Sequence, residues 1–227
     1  DQHPVLPPLR GGGTPAMVKG GETIMNTKYE ITDITHEKYP FLHRIRALRD
    51  IGDKVKAGDL GGFVEGADNL STEDDASWVF EDAIAAGSAF VDQDARLFGK
   101  AVACGCAYVS QGATLSADAR AEDNAYIRGA DMCGCARASG YSMILDSPDT
   151  GRAPFLSETC AVYGTVVGDV HIMGGAVVLD NEKIINKTPD TLIIKGRERS
   201  VIRAPSRDKL SPRQPQEKQK KPRGKDR

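Results

Sequence analysis

The sequence predicts an all-β protein, a triangular parallel β-helix in which short strands stack in coils of eighteen residues. Three observations predict this fold: an alanine recurs every six residues, a second apolar residue follows each alanine by two positions, and aromatic residues make up only 6% of the chain. A narrow core of small repeating layers suits this composition. The alanines in strict register are Ala83, Ala89, Ala95, Ala101, Ala107, Ala113, Ala119 and Ala125.

The six-residue period has a direct structural meaning. An inward, an outward and a second inward residue make a short strand segment, and three further residues turn a corner. Three such sides close one coil, and coils stack at a strand spacing of about 4.8 Å. Because one coil cannot bury its inner face alone, the stability must come from stacking neighbours.

Reading the second apolar series at a period of eighteen tests the triangle. Large residues then repeat on two sides and alanine on the third, a pattern that a period of six alone does not require. The first two stacks are Val79, Leu97, Leu115, Met132 and Val91, Val109, Ile127. The third stack is Ala85, Ala103, Ala121, Ala138, reached after one five-residue step at Ala130.

Individual hexads carry a family resemblance. Residues 91–95 (VDQDA) and 97–101 (LFGKA) begin with an aliphatic residue and place a small one four positions later. This unit resembles that of the hexapeptide-repeat left-handed β-helix family, and the resemblance implies a left-handed coil where chain physics favours right-handed crossovers. With VKAGDLGGFV at 55–64, roughly residues 27–182 are similar to enterobacterial and prophage hexapeptide proteins labelled as transferases.

The chain is expected to divide into four parts. Residues 1–25, rich in Pro and Gly, form a disordered leader, and residues 26–62 form a β-hairpin cap over the first coil. Residues 63–182 form the β-helix, with an excursion loop at 141–159 that contains two prolines. Residues 183–227 hold a short strand and a disordered basic tail, with thirteen Lys or Arg against four acids from Lys195 to Arg227.

The family resemblance implies two enzyme classes. Carbonic anhydrases of this fold bind zinc through three histidines, but only one of four histidines here, His171, lies in the predicted coils, so no metal is expected. Acyltransferases of this fold place a histidine base near an acyl-CoA groove. His171 lies between inward Val170 and Ile172 and is the catalytic candidate, with the alternative that it is an ordinary surface histidine. The loop 141–159 is a candidate lid that carries Asp146, Asp149 and Glu158.

The cysteines indicate a reducing compartment. Their number is odd, at five, and no secretory signal is recognisable, so free thiols and a cytoplasmic location are expected. The pairs at 104/106 and 133/135 lie five hexads apart, on different sides of the triangle. They therefore cannot converge on one zinc ion, and packing in turns is the expected role. No apolar run approaches the length of a membrane span.

One outward column is aromatic. Phe90, Tyr108 and Tyr126 are spaced by eighteen residues and should form an exposed ladder on one face. Such a patch predicts an interface, with a different protein or with copies of the chain in a homotrimer. The alternative is cross-strand pairing that only stabilises the sheet.

The favoured function is therefore a non-enzymatic protein-interaction scaffold without a cofactor, and the prophage resemblance implies a phage origin. One alternative is an acyl-CoA-dependent acyltransferase, the only case in which acyl-CoA would be a cofactor. A second is a nucleic-acid accessory protein in which residues 195–227 contact phosphates or another acidic partner. No membrane partner is expected. Binding of acetyl-CoA would discriminate the first two.

Overall fold

The computed structural model describes residues 26–205 and shows a parallel β-solenoid of about 7 turns. One short 3-10 helix, η1, spans Ala67–Asn69. The strands in chain order are β1 Tyr29–Thr35, β2 His43–Ala47, β3 Leu60–Val64, β4 Trp78–Val79, β5 Ile84–Ala85, β6 Phe90–Val91, β7 Arg96–Leu97, β8 Val102–Ala103, β9 Tyr108–Ser110, β10 Thr114–Leu115, β11 Arg120–Ala121, β12 Tyr126–Arg128, β13 Asp131–Met132, β14 Arg137–Ala138, β15 Met143–Leu145, β16 Phe155–Leu156, β17 Ala161–Val162, β18 Thr165–Val167, β19 Val170–Met173, β20 Val177–Val178, β21 Lys183–Ile185, β22 Thr191–Lys195 and β23 Glu198–Ile202.

The strands form three sheets, one on each side of the coil. Sheet I has the order β1-β2-β3-β5-β8-β11-β14-β17-β20, and sheet II has the order β23-β22-β19-β16-β13-β10-β7-β4. Sheet III has the order β21-β18-β15-β12-β9-β6. Successive coils pair in parallel, and only the additions at the two ends, β1 to β3 and β22 to β23, pair antiparallel.

The eighteen-residue register is confirmed on all three sides. Val79, Leu97, Leu115 and Met132 are successive partners in sheet II, and Val91, Val109 and Ile127 are partners in sheet III. The alanine stack at 85, 103, 121 and 138 lies in sheet I. All of these side chains are buried in one continuous core. The small alanine side chains on sheet I keep the coil narrow. The alanines of the six-residue series, such as Ala89 and Ala95, occupy its corners.

The N-terminal antiparallel strands cover the first coil. Trp78 points outward from its own coil, yet it is buried because the ring of Tyr29 packs edge-on against it at 6.3 Å. The Tyr29 hydroxyl donates to the carbonyl of Leu70 at 2.9 Å. Gly61 and Gly62 permit this close approach, since a Cβ at Gly62 would lie 2.4 Å from the carbonyl oxygen of Ala83.

A buried ion pair ties the cap to the first coil. The Lys28 ammonium is fully buried and lies 2.6 Å from Asp75 Oδ1 and 2.9 Å from Ser77 Oγ. Burial raises the pKa of Asp75, but hydrogen bonds from Lys28, Ser77 and Ser71 outweigh it and hold the pKa at about 2. Burial lowers the pKa of Lys28, and the bond to Asp75 opposes that shift. Asp75 is therefore ionised in the folded chain at neutral pH.

The solenoid departs from the sequence prediction in its last third. The segment 141–159, expected to be an excursion, contributes β15 and β16, and the chain leaves the coil only between Leu145 and Phe155. Ile144 and Leu156 supply the inward residues that continue the stacks above Ile127 and Met132. Beyond residue 182 the chain adds three strands, β21 to β23, where one short strand was expected. The predicted leader at 1–25 lies outside the described residues.

Candidate functional site

The aromatic column is a stacked ladder on the outer face of sheet III. Phe90, Tyr108 and Tyr126 are direct strand partners. The first two ring centroids lie 6.1 Å apart with 15° between the planes, and the second pair lies 5.2 Å apart with 6° between the planes. The rings are half-buried, where exposed rings were expected, because each ring covers the face of its neighbour. The column therefore presents ring edges, not faces, to the outside.

A carboxylate flanks the middle rung of the ladder. The Tyr108 hydroxyl donates to Asp92 Oδ2 at 2.8 Å. Burial, followed by this hydrogen bond, raises the pKa of Tyr108 to about 12. Burial likewise raises the pKa of Asp92. Tyr108 is thus a neutral donor at physiological pH, and its hydroxyl is already used within the face.

The apolar surface of sheet III continues beyond the ladder. Met143 follows Tyr126 in the same column, and the neighbouring column holds Leu145, Val167 and Ile185. Met143 is 41% exposed and Ile185 is 51% exposed, and Leu145 and Val167 between them are half-buried. Every strand of the sheet therefore contributes at least one outward apolar side chain.

Two charged residues on this face are neutralised within it. Arg128 Nε lies 2.5 Å from Asp146 Oδ1, and the Arg128 guanidinium also donates to the carbonyl of Asp146 at 3.1 Å. Asp92 accepts from Tyr108 as described. Because Arg128 and Asp146 are already paired, covering the face would strip little hydration from them, whereas the exposed Lys183 on β21 would also lose hydration.

His171 has an acidic partner that sequence reasoning missed. Its Nε2 lies 3.2 Å from Asp169 Oδ1, and the ring of Phe155 packs edge-on at 5.5 Å. The largely buried Asp169 also accepts from Arg152 at 2.6 Å and from the Thr191 hydroxyl at 3.0 Å. This pairing could have been predicted from strand alternation, since the side chains of residues 169 and 171 must lie on the same outward face.

The acids proposed for a lid are not brought to this histidine by any described contact. Asp146 is held by Arg128 on sheet III, while His171 lies on sheet II. Arg152 is the residue of the segment 141–159 that reaches the dyad, through Asp169. The arrangement can orient an imidazole, which is one requirement of a general base.

The cysteines lie where the repeat predicts, in turns and corners. All five thiols are free, and Cys104 and Cys160 are buried. Burial raises the pKa of both, that of Cys160 to about 11. Within residues 26–205, no cluster of three or more His, Cys, Asp or Glu side chains could hold a metal ion.

The basic C-terminal segment is described only in part. Residues 195–205 include β23 and carry Lys195, Arg197, Arg199 and Arg203, all exposed. The remaining tail, 206–227, lies outside the described residues, and its contact with nucleic acid or another acidic partner stays a prediction. In the part of the chain described, no helix has the length and hydrophobicity needed to cross a membrane.

Comparison with known proteins gives no relative. No family model, curated protein or solved structure matches the chain.

Proposed function

We propose that this protein is a rigid, non-enzymatic scaffold that associates with copies of itself through the outer face of sheet III. The observation that carries the proposal is the outward apolar side chain on each of the six strands, from Phe90 to Ile185, although Thr165 and Lys183 also lie on this face. A surface of this kind is costly to leave in water and is typical of interfaces.

The other two faces are less suited to burial. The middle of sheet I carries an ionic network in which Glu122 contacts Arg120 at 2.5 Å and Arg137 at 3.5 Å. The middle of sheet II presents Arg96, Thr114 and Asp131. Covering either face would remove more polar groups from water, so sheet III has the lowest desolvation cost.

A threefold arrangement fits a flat face on a triangular rod. Three copies related by a threefold axis would bury the same face of each copy, with closed symmetry. The resemblance of the hexads to the hexapeptide-repeat left-handed family supports this arrangement, since those proteins commonly trimerise through a sheet face. The rod needs no catalytic group or cofactor for this role.

The test is the change Leu145→Arg, which places a charge at the centre of the face without touching the inner core. At about 0.5 M NaCl, where attraction between surface charges is screened, we expect light scattering to give three times the chain mass for the wild type and a single chain mass for the variant. The control is Val177→Arg, an exposed apolar residue on sheet I, which should leave the mass unchanged. A wild-type chain that stays monomeric at every concentration contradicts the proposal.

A second candidate, an acyl-CoA-dependent acyltransferase, is favoured by the contact of His171 with Asp169. Under the scaffold proposal we expect no release of free CoA from acetyl-CoA with any acceptor. Saturable release that is lost in His171→Ala, and kept in a His36→Ala control, would instead assign the acyltransferase function.

A further inference from the structure

We propose that the two ends of the solenoid are complementary docking surfaces, through which copies of this chain associate head to tail. Edge strand β1 of one copy would pair with edge strand β23 of the next. This contact uses neither the ladder nor any other part of sheet III, and it does not depend on the scaffold proposal.

The two terminal strands, β1 and β23, each carry two exposed large apolar side chains. From residue 61 to 140, no large apolar side chain of the described structure is exposed. On β1, Ile31 is 39% exposed and Ile34 is 45% exposed, while Val201 and Ile202 on β23 are each 58% exposed. The middle coils are thus complete by themselves, and the ends are not.

Both of these strands are open edges. β1 is the terminal strand of sheet I and β23 is the terminal strand of sheet II, each with one described neighbour. A terminal strand presents a row of backbone donors and acceptors on its free side, which is a template for another strand. The two edges lie at opposite ends of the solenoid.

The ends also carry opposite charge. Residues 26–95 contain seven Lys or Arg and fifteen Asp or Glu, a net of -8, and residues 57–95 alone contain ten acids and no base. Residues 183–205 contain six Lys or Arg and two acids, a net of +4. On the edges themselves, β1 carries Glu30, which is paired with Arg46, and Asp33. β23 carries Glu198 and Arg199, and Arg203 lies just beyond it.

This charge distribution selects the partner. Charges on edge strands normally prevent edge-to-edge association. Here the net charges of the two ends, -8 for residues 26–95 and +4 for residues 183–205, disfavour the pairing of β1 with β1 and of β23 with β23. They favour β1 against β23. The occupant is therefore a second copy in head-to-tail orientation, and not a symmetric dimer.

One antiparallel register joins the two cores. Ile31 pairs with the buried Ile45, and Val201 pairs with Leu192 of the last turn, so both face the core side of their own end. Placing Ile31 opposite Val201 continues the core across the junction. It also brings Asp33, which lies in the irregular stretch of β1 between Ile31 and Thr35, near Arg199. Because sheets I and II are different sides of the triangle, each copy is rotated relative to the last. A head-to-tail contact that also shifts each copy along the rod axis does not close into a ring, and gives an open series.

The test is a charge exchange on the full-length chain, followed by sedimentation velocity over a range of protein concentrations. At about 0.02 M NaCl we expect the average mass of the wild type to rise continuously with concentration. At about 0.5 M NaCl, where charges are screened beyond a few ångströms, the rise should vanish. Asp33→Arg and Arg199→Asp should each abolish growth, and the double variant that carries both changes should restore it.

The matched control is Asp118→Arg, which makes the same charge change at an exposed turn in the middle coils. It should grow like the wild type. A wild-type mass that does not depend on concentration overturns the proposal, and this includes the case in which the chain's own terminal segments occupy the edges. Equal loss in Asp33→Arg and Asp118→Arg, or no restoration in the double variant, would also overturn it.

Discussion

The middle coils and the N-terminal cap are stabilised in different ways. Each coil adds a thin layer, one small residue on sheet I and one larger residue on each of the other two sides, and every layer resembles the next. The cap instead relies on a few large contacts, chiefly Trp78 against Tyr29 and Lys28 against Asp75. Repetition therefore spreads stability over many equal layers, whereas the cap concentrates it in single side chains. Substitutions in the two regions should differ accordingly.

The largest effect is expected for Trp78→Ala. Removing this buried ring leaves a cavity between the cap and the first coil, at a cost of about 3–5 kcal/mol in the free energy of unfolding. Urea denaturation followed by circular dichroism would measure it. Phe155→Ala is the control, since Phe155 also points outward from sheet II but lacks a covering cap. Equal losses for the two variants would show that the cap does not depend on Trp78.

The cap should also be the acid-sensitive region. The pKa of Asp75 is about 2 in the folded chain and 3.8 for a free side chain, so its contribution is complete above about pH 4 and is lost as the pH falls through 2. We expect the melting temperature to fall in this window for the wild type. In Asp75→Asn the fall should be smaller, from a lower starting value. Identical pH profiles would exclude Asp75 as the sensitive group.

A smaller loss is expected for Ala103→Leu in the middle coils. The extra methylenes enter a closed layer of the alanine stack and should cost about 1–3 kcal/mol. The control is Val102→Leu, the adjacent outward residue on the same strand, which has room to accommodate the change. Denaturant midpoints would measure both variants. Equal midpoints would contradict the inward assignment of Ala103.

The smallest expected effect is an increase in the free energy of unfolding. Ser142 occupies a buried corner where Ala107 and Ala125 stand in the two preceding coils, and its hydroxyl has no hydrogen-bond partner among the described residues. Ser142→Ala should therefore stabilise the fold by about 1 kcal/mol. Ser77→Ala should instead destabilise it, because the Ser77 hydroxyl contacts both Lys28 and Asp75. Thermal melts of the two variants would separate these outcomes.

The structure of the repeating coils could be predicted from the sequence. Contacts that occur only once in the molecule could not. The three inner stacks follow from residue spacing alone, because each layer repeats the one before it. The burial of Trp78 depends on Tyr29, and no local pattern encodes that distant contact. The insertion between Leu145 and Phe155 shifted the register, so that Ile144 and Leu156 no longer appeared as inward residues.

In the candidate sites, too, the features that follow from the repeat were predicted and the single contacts were not. The aromatic ladder was predicted as a column, but its self-stacking and half-burial required coordinates. The partnership of Asp169 with His171 followed from strand alternation and was missed because Gly168, with φ of +86°, interrupts the hexads just before it. Arg152 and Thr191 reach Asp169 from segments distant in sequence, which the period does not relate to one another.

The position of the cap also bears on how the chain acquires its structure during synthesis. Domains and their parts fold in the order in which they leave the ribosome, beginning at the N-terminal side. The antiparallel strands and the Lys28–Asp75 pair can therefore form before most coils have been made. Each later coil then has an existing edge on which to add, because folding of a repeat domain can propagate from a structured neighbour. A cap formed only by C-terminal residues could not cover a coil until the whole chain had been synthesised.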